Sequence, residues 1–163
     1  MSHLTPAQAL TLKAAITANA TWAAFPMGSD GYANLAVVLN AKAVPAFTVW
    51  RTNVPTAHVG IAMNSTELSG MTTANTNRLM VMSAYSGGTF NPSQPDVRAG
   101  FDSVFSGAGG ALTRAGLLIL WKRTATEVEK VLATGTGTDA APAIMGYEGP
   151  VGLDDVQQAR NAV

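Results

Sequence analysis

The run from Leu112 to Thr134 is the longest stretch of helical periodicity in the chain. Arg114, Leu118, Trp121, Ala125, Val128 and Leu132 fall on one stripe, and Leu117, Leu120 and Val131 widen it. A stripe this broad has to be covered by other elements. The run therefore predicts a central, nearly fully buried helix with a helical bundle around it. Its second half is charged: Lys122, Arg123, Glu127, Glu129 and Lys130 cluster there, with Arg123 and Glu127 four residues apart. That half is expected to emerge toward solvent or a partner.

Start and stop signals place the rest of the bundle. Thr5-Pro6-Ala7-Gln8 reads as a capping box with proline at the first helical position, opening a helix that runs to about Asn19. A second helix starts after Ser29 or Asp30, carries Tyr32, Leu35, Ala36, Leu39 and Ala43 on one side, and stops at Pro45. Phe47–Arg51 is β-favouring and short, an extended connector or one strand. A short helix is expected around His58–Met63, then a turn at Asn64-Ser65 and another helical turn from Glu67. Residues Thr73–Tyr85 are helical again, with Leu79, Met82 and Tyr85 together, and Gly87-Gly88 ends them. Ser93-Gln94-Pro95-Asp96 reads as a second capping box. It opens a helix with Val97, Phe101, Val104 and Phe105 inward. Arg98 and Asp102 pair on its other face for about 0.3–0.5 kcal/mol. The glycines of Ser106–Gly110 suit a helix-to-helix turn with positive φ better than an anion cradle.

Beyond the long run the composition changes. Gly135–Pro142 reads as a flexible hinge, Ala143–Glu148 as one strand or an extended arm, and Gly149-Pro150 as a break. Gly152-Leu153-Asp154-Asp155 opens a terminal helix with acids at its N-terminal dipole. Val156 and Ala159 give that helix a thin apolar face, so it reads as a segment that docks elsewhere or as a frayed tail. The chain thus divides into a helical core, 1–134, and a hinge, arm and terminal helix, 135–163. The fold class is mainly α: a helical bundle with a long central helix and a short extended arm near the C-terminus. Gly135, Gly137, Ile144, Tyr147, Val151, Val156 and Arg160 are the arm residues expected to make inter-subunit contacts.

The composition bears on function. The chain has 163 residues, enough for one domain with a real core. Ten basic and ten acidic residues cancel, which weighs against a dedicated nucleic-acid binder. Charged residues make up 12% of the chain, about half the usual ~25%. With 28 Ala, 18 Thr and 16 Gly, such a surface suits burial against neighbouring subunits. The opening Met1-Ser2-His3-Leu4 lacks the flank and run of a signal peptide. The densest apolar stretch, Ala115–Trp121, is far short of the ~20 residues of a membrane span. A soluble chain made in the cytoplasm, with no membrane partner, is expected.

Catalytic signatures are weak. Without cysteine there is no thiol catalysis, thiolate metal site or disulfide. His3 and His58 cannot form a histidine-rich metal site, and His58 reads as a helix residue. Gly135–Ala140 matches a loose G-x-G-x-x-A pattern but follows a long helix rather than a strand. Asp154-Asp155 reads as a helix cap, and Glu127 and Glu129 point to different faces. Met63, Met71, Met80 and Met82 read as gap-fillers. No enzyme activity, metal or cofactor is expected.

Several runs carry a resemblance. These are Asn91-Pro92-Ser93-Gln94-Pro95-Asp96-Val97-Arg98, Phe105-Ser106-Gly107, Trp121-Lys122-Arg123, Ala133-Thr134-Gly135-Thr136-Gly137, and Asp154-Asp155-Val156-Gln157-Gln158-Ala159-Arg160. In this order, over most of the chain, they resemble a group of small structural proteins of tailed bacteriophages. Among virion proteins of this length, the chain looks most like head–tail adaptors (connectors). The resemblance implies a ring of about a dozen copies in the virion neck, seated between portal and tail proteins, with DNA passing close by non-specifically. It also implies an arm from Thr134 to Val163 reaching a neighbour. Lys122, Arg123, Glu127, Glu129 and Lys130 would then lie at the edge of the ring or channel. The chain departs from many DNA channels in lacking an acidic excess. Another virion role, in the capsid or tail, is the alternative, and a small phage enzyme or regulator is a more distant one.

Overall fold

Thr5 accepts the backbone N–H of Gln8 at 3.3 Å, and the Gln8 side chain accepts the N–H of Thr5 at 2.8 Å. With Pro6 in the first turn, this capping box launches α1 (Pro6–Ala18) where the sequence places it. A computed structural model describes residues 3–163. Met1 and Ser2, the first two residues of the segment read above for a signal peptide, lie outside the described residues. Mainly helical, as predicted, the chain has ten α-helices and four short strands among the described residues. It falls into two compact units, Met1–Val49 with Thr124–Val163, and Trp50–Arg123.

The first unit is built from both ends of the chain. Its helices are α1, α2 (Ala20–Ala23), α3 (Ser29–Leu39), α9 (Glu127–Leu132) and α10 (Leu153–Asn161). Helices α1 and α3 each pack against both α9 and α10. Leu12, Ile16, Leu35, Leu39, Val128 and Val156 close its main core. Each fully buried aliphatic side chain there contributes roughly 1.5–3 kcal/mol. A smaller cluster joins Val49, Ala125, Ala143 and Met145.

The second unit holds β2 (Val54–Pro55), α4 (Thr56–Ala62), α5 (Ser65–Ser69), α6 (Thr73–Tyr85), β3 (Thr89–Phe90), α7 (Pro95–Val104) and α8 (Ala111–Trp121). Strands β2 and β3 pair antiparallel, Val54 opposite Phe90 and Pro55 opposite Thr89. The chain enters this unit in β1 (Thr48–Trp50) and leaves it in β4 (Lys122–Thr124); β1 and β4 form the other two-stranded sheet. The core is a row of edge-to-face rings. Phe90 and Phe101 have centroids 5.0 Å apart, and Phe101 and Trp121 5.2 Å. The glycine turn behaves as predicted. Gly107 has φ +71°, and a Cβ on Gly110 would lie 2.1 Å from the Phe105 carbonyl oxygen.

Three expectations are corrected here. The run 112–134 is not one helix: α8 ends at Trp121, β4 follows, and α9 starts afresh. Backbone groups at the break have partners outside the helix. The Trp121 carbonyl accepts the Arg51 N–H at 2.8 Å, the Ala125 N–H donates to the Phe47 carbonyl at 2.8 Å, and the Glu127 N–H donates to the Ala41 carbonyl at 2.9 Å. A new capping box then opens α9, with Thr126 and Glu129 exchanging bonds as Thr5 and Gln8 do. Second, 135–163 is no separate segment. Thr134 and Ile144 exchange two backbone bonds, at 2.8 and 2.9 Å, and Ala143 donates to Thr48 at 2.9 Å. These bonds fold the stretch onto the first unit, so the division at residue 134 does not follow the compact units. Third, Ser93 does not cap α7. Its hydroxyl turns to the Asn91 side chain, and Gln94 takes the cap position with no side-chain bond. Arg98 likewise turns to the Pro92 carbonyl, with its guanidinium 4.3 Å above the Trp50 ring.

Candidate interaction surfaces

The arm residues are mostly anchors of the first unit. Val151 is buried, and its N–H and carbonyl both pair with the Asn40 side chain, at 2.9 and 2.8 Å. Val156 is fully buried against α1 and α3. Arg160 donates to the Phe25 and Trp22 carbonyls, both at 2.8 Å, covering the C-terminal end of α2. Gly137 has φ +66°, and a Cβ there would lie 2.1 Å from the Phe47 ring. Its glycine is therefore a packing requirement, not a hinge. Gly135, at φ +125°, lies against Ala143. The Tyr147 hydroxyl donates to the Pro150 carbonyl at 2.7 Å. Burial, and then the carboxylates of Asp155 and Glu129, push its pKa up. Ile144 is exposed, as is Val163.

The charged set divides between the units. Lys122 and Arg123 are half-buried in β4. Glu127 accepts the Val44 N–H at 2.8 Å and pairs with Lys130 at 3.8 Å, while Lys130 donates to the Val44 carbonyl at 3.3 Å. Together they clamp the loop that follows α3. Glu129 is 2% exposed and accepts the N–H groups of Thr126 and Gly149. Asp155 is buried too, accepting the N–H groups of Gly152 and His3 at 2.8 and 2.6 Å. These buried acids are satisfied helix caps. His58 is exposed on α4. No group of three or more metal-ligating side chains occurs among the described residues.

The second unit holds what the sequence reading missed. Glu67, on α5, accepts the N–H groups of Leu112 and Thr113 at 2.9 and 2.7 Å, capping α8 from another helix. Thr113 is fully buried and accepts the Asn64 N–H at 3.0 Å. Removal from water raises the Glu67 pKa. The Thr113 hydroxyl, the two amides and the Arg114 charge outweigh that and hold it below the ordinary carboxylate value. No local pattern announces this cap, because its partners are 45 residues apart.

Helix α8 is not enclosed on all sides. Leu117 and Trp121 face the core, but Leu112, Leu118 and Ile119 are exposed, by 63%, 43% and 77%. With Ala111 and Ala115, also exposed, they form a neutral stripe on its outer side. Helix α6 has no buried residue along its 13. Met80 and Val81 are exposed, and Tyr85 is 88% so. Beside it a groove of about 440 Å³ is lined by Met82, Tyr85, Phe90, Asp96, Val97 and Gly100, among others. Gly100 makes room for Met82, whose Cε would lie 2.9 Å from any Cβ there. A second groove, about 340 Å³, lies between α7 and α8 by Arg98, Asp102, Arg114 and Leu118.

These surfaces offer apolar contact, with Asp96 beside the first groove and Asp102 beside the second. Comparison with family models, curated proteins and solved structures gives no match.

Proposed function

We propose that this chain is a non-enzymatic structural protein of a tailed-phage virion, a head–tail adaptor whose copies form a ring in the neck between portal and tail. The observation that carries the reading is on the second unit. A 13-residue helix, α6, has no buried residue, and both it and α8 turn large apolar side chains to solvent. Isolated helices of that length are marginal in water. Grouped exposed apolar side chains mark surfaces that other protein covers. The low charge of the chain supports the same reading, and the resemblance of its turn and cap segments to phage structural proteins supplies the setting.

The test is the protein composition of purified particles, counted in copies per particle. About a dozen copies is the expected result. Hundreds of copies would replace the adaptor with a capsid or tail-tube role. Absence from the particle would overturn the structural reading altogether.

A further inference from the structure

We propose that the groove between α7 and α8 is a binding site for a small organic monocarboxylate. This goes beyond the ring reading and does not rest on it.

The groove lies wholly within the second unit, and its volume of about 340 Å³ falls in the range that holds small ligands. Trp50, Ala115 and Leu118 give it apolar walls. Two kinds of unused donor line it. The first is the indole of Trp121. That residue is 3% exposed, and its Nε1–H is buried with no hydrogen-bond partner among the described residues. A buried donor left unpaired is costly, and folded proteins nearly always give such a group a partner. An oxygen atom seated in the groove would supply it.

The second is a pair of guanidinium edges. Arg98 donates through Nη1 to the Pro92 carbonyl, with its Cζ 4.3 Å above the Trp50 ring. Arg114 donates, also through Nη1, to the carbonyls of Phe105 and Gly107. These bonds fix where the two side chains stand and use one nitrogen of each. The Nε–Nη2 edge of each arginine is left without a partner among the described residues. Glu67, whose charge acts on Arg114, is itself held by the amides of Leu112 and Thr113. A guanidinium edge with two parallel N–H groups is the shape that a carboxylate fills with both oxygens.

Asp102 sets the charge of the ligand. It is exposed on the groove and makes no hydrogen bond or ion pair among the described residues, although Arg98 stands one turn before it. Two guanidiniums against this carboxylate leave a single excess positive charge. One carboxylate neutralises it, whereas a phosphate dianion overfills it. The apolar walls then favour an organic body behind the carboxylate.

The probe is benzoate, with inorganic phosphate as its counterpart, added to the full chain. The readout is the indole N–H region of an NMR spectrum, where the three tryptophans give separate signals. Trp121 is identified by its through-space contact with Phe101, whose ring lies 5.2 Å away. Benzoate should move the Trp121 signal to lower field and saturate it with a Kd of about 1 mM; phosphate should not. Arg98→Gln and Arg114→Gln should each weaken benzoate at least about tenfold. Arg98→Lys and Arg114→Lys should weaken it too, because an ammonium keeps the charge and loses the two-handed edge. Asp102→Asn should tighten benzoate and admit phosphate. Circular dichroism checks that each variant folds. A Trp121 signal that stays put about tenfold above that concentration would overturn the site. So would benzoate binding that is equal in wild type and in the folded arginine variants. Asp102 is exposed and makes no bonds, so its variant keeps the test open if the arginine variants unfold; unchanged benzoate affinity there would also overturn the proposal. None of these outcomes bears on the count of copies per particle.

Discussion

The two units use apolar residues in opposite ways. In the first, exposed large apolar side chains come from several elements: Leu10 on α1, Val37 on α3, and Met27, Val44, Ile144 and Val163 outside the helices. Its buried acids, Asp155 and Glu129, accept bonds from distant residues, whereas the Nε of Arg160 is buried with no hydrogen-bond partner among the described residues. In the second, burial concentrates on the Phe90–Phe101–Trp121 row, and α5 and α6 have no buried residue at all. Its exposed large apolar residues are Met80, Val81 and Tyr85 on α6, Leu112, Leu118 and Ile119 on α8, and Ile61 on α4. Two helices of the second unit thus carry six of its seven exposed large apolar side chains, whereas those of the first unit are spread over helices and loops.

The comparison is broken most directly at the ring row. Phe101→Ala should cost about 3–5 kcal/mol. Hydrogen exchange should then show lost protection within Trp50–Arg123 and retained protection in the first unit; equal loss in both would end the distinction. Next in size is Gly137→Ala, which forces a Cβ into the Phe47 ring at a positive φ. It should cost about 1–3 kcal/mol in a urea titration, and its exchange signature should fall in the first unit. An unchanged titration midpoint would show that the loop shifts freely. Thr126→Ala removes half of the box that opens α9 and should cost about 1 kcal/mol, read as a lower Tm.

A pH titration sharpens the picture of the second unit. Glu67 has a lowered folded pKa, so its contribution is complete above the unfolded value of ~4.3 and is lost as pH falls through the folded value. Glu67→Gln should flatten that acid limb of a stability profile; an unaltered limb would remove Glu67 from the account. The smallest effect is expected at Ile119→Asp, within about 0.5 kcal/mol of wild type in monomer stability. A large loss there would mean that the outer face of α8 is needed for folding, not for contact.

Much of the fold was legible where the signal is local. Thr5-Pro6-Ala7-Gln8, the Tyr32–Leu39 stripe and the Gly107–Gly110 turn each carry their physics within a few residues. The break after Trp121 was hidden because Ala125, Val128 and Leu132 keep the helical spacing across it, and all three are buried in the structure. A readable signal was there: Thr126-Glu127-Val128-Glu129 is itself a capping box inside the run. The terminal helix misled for a different reason. Its thin face is all that α1 and α3 require, and Arg160 adds its hold through partners more than 130 residues away. The surfaces on α6 and α8 were illegible in principle, since an apolar helix with two apolar sides does not tell which side its own chain covers.

The nested order of the units sets a timetable for synthesis. Residues Trp50–Arg123 are all available to fold once the ribosome has passed them. The first unit waits for Val156 and Ala159, and for the bond that joins His3 to Asp155. The second unit is thus complete in the growing chain before the first unit is. A chain stopped at Gly135 would hold the whole second unit and lack α10. The last nine-residue helix therefore separates a nascent chain with one unit complete from a chain in which both are.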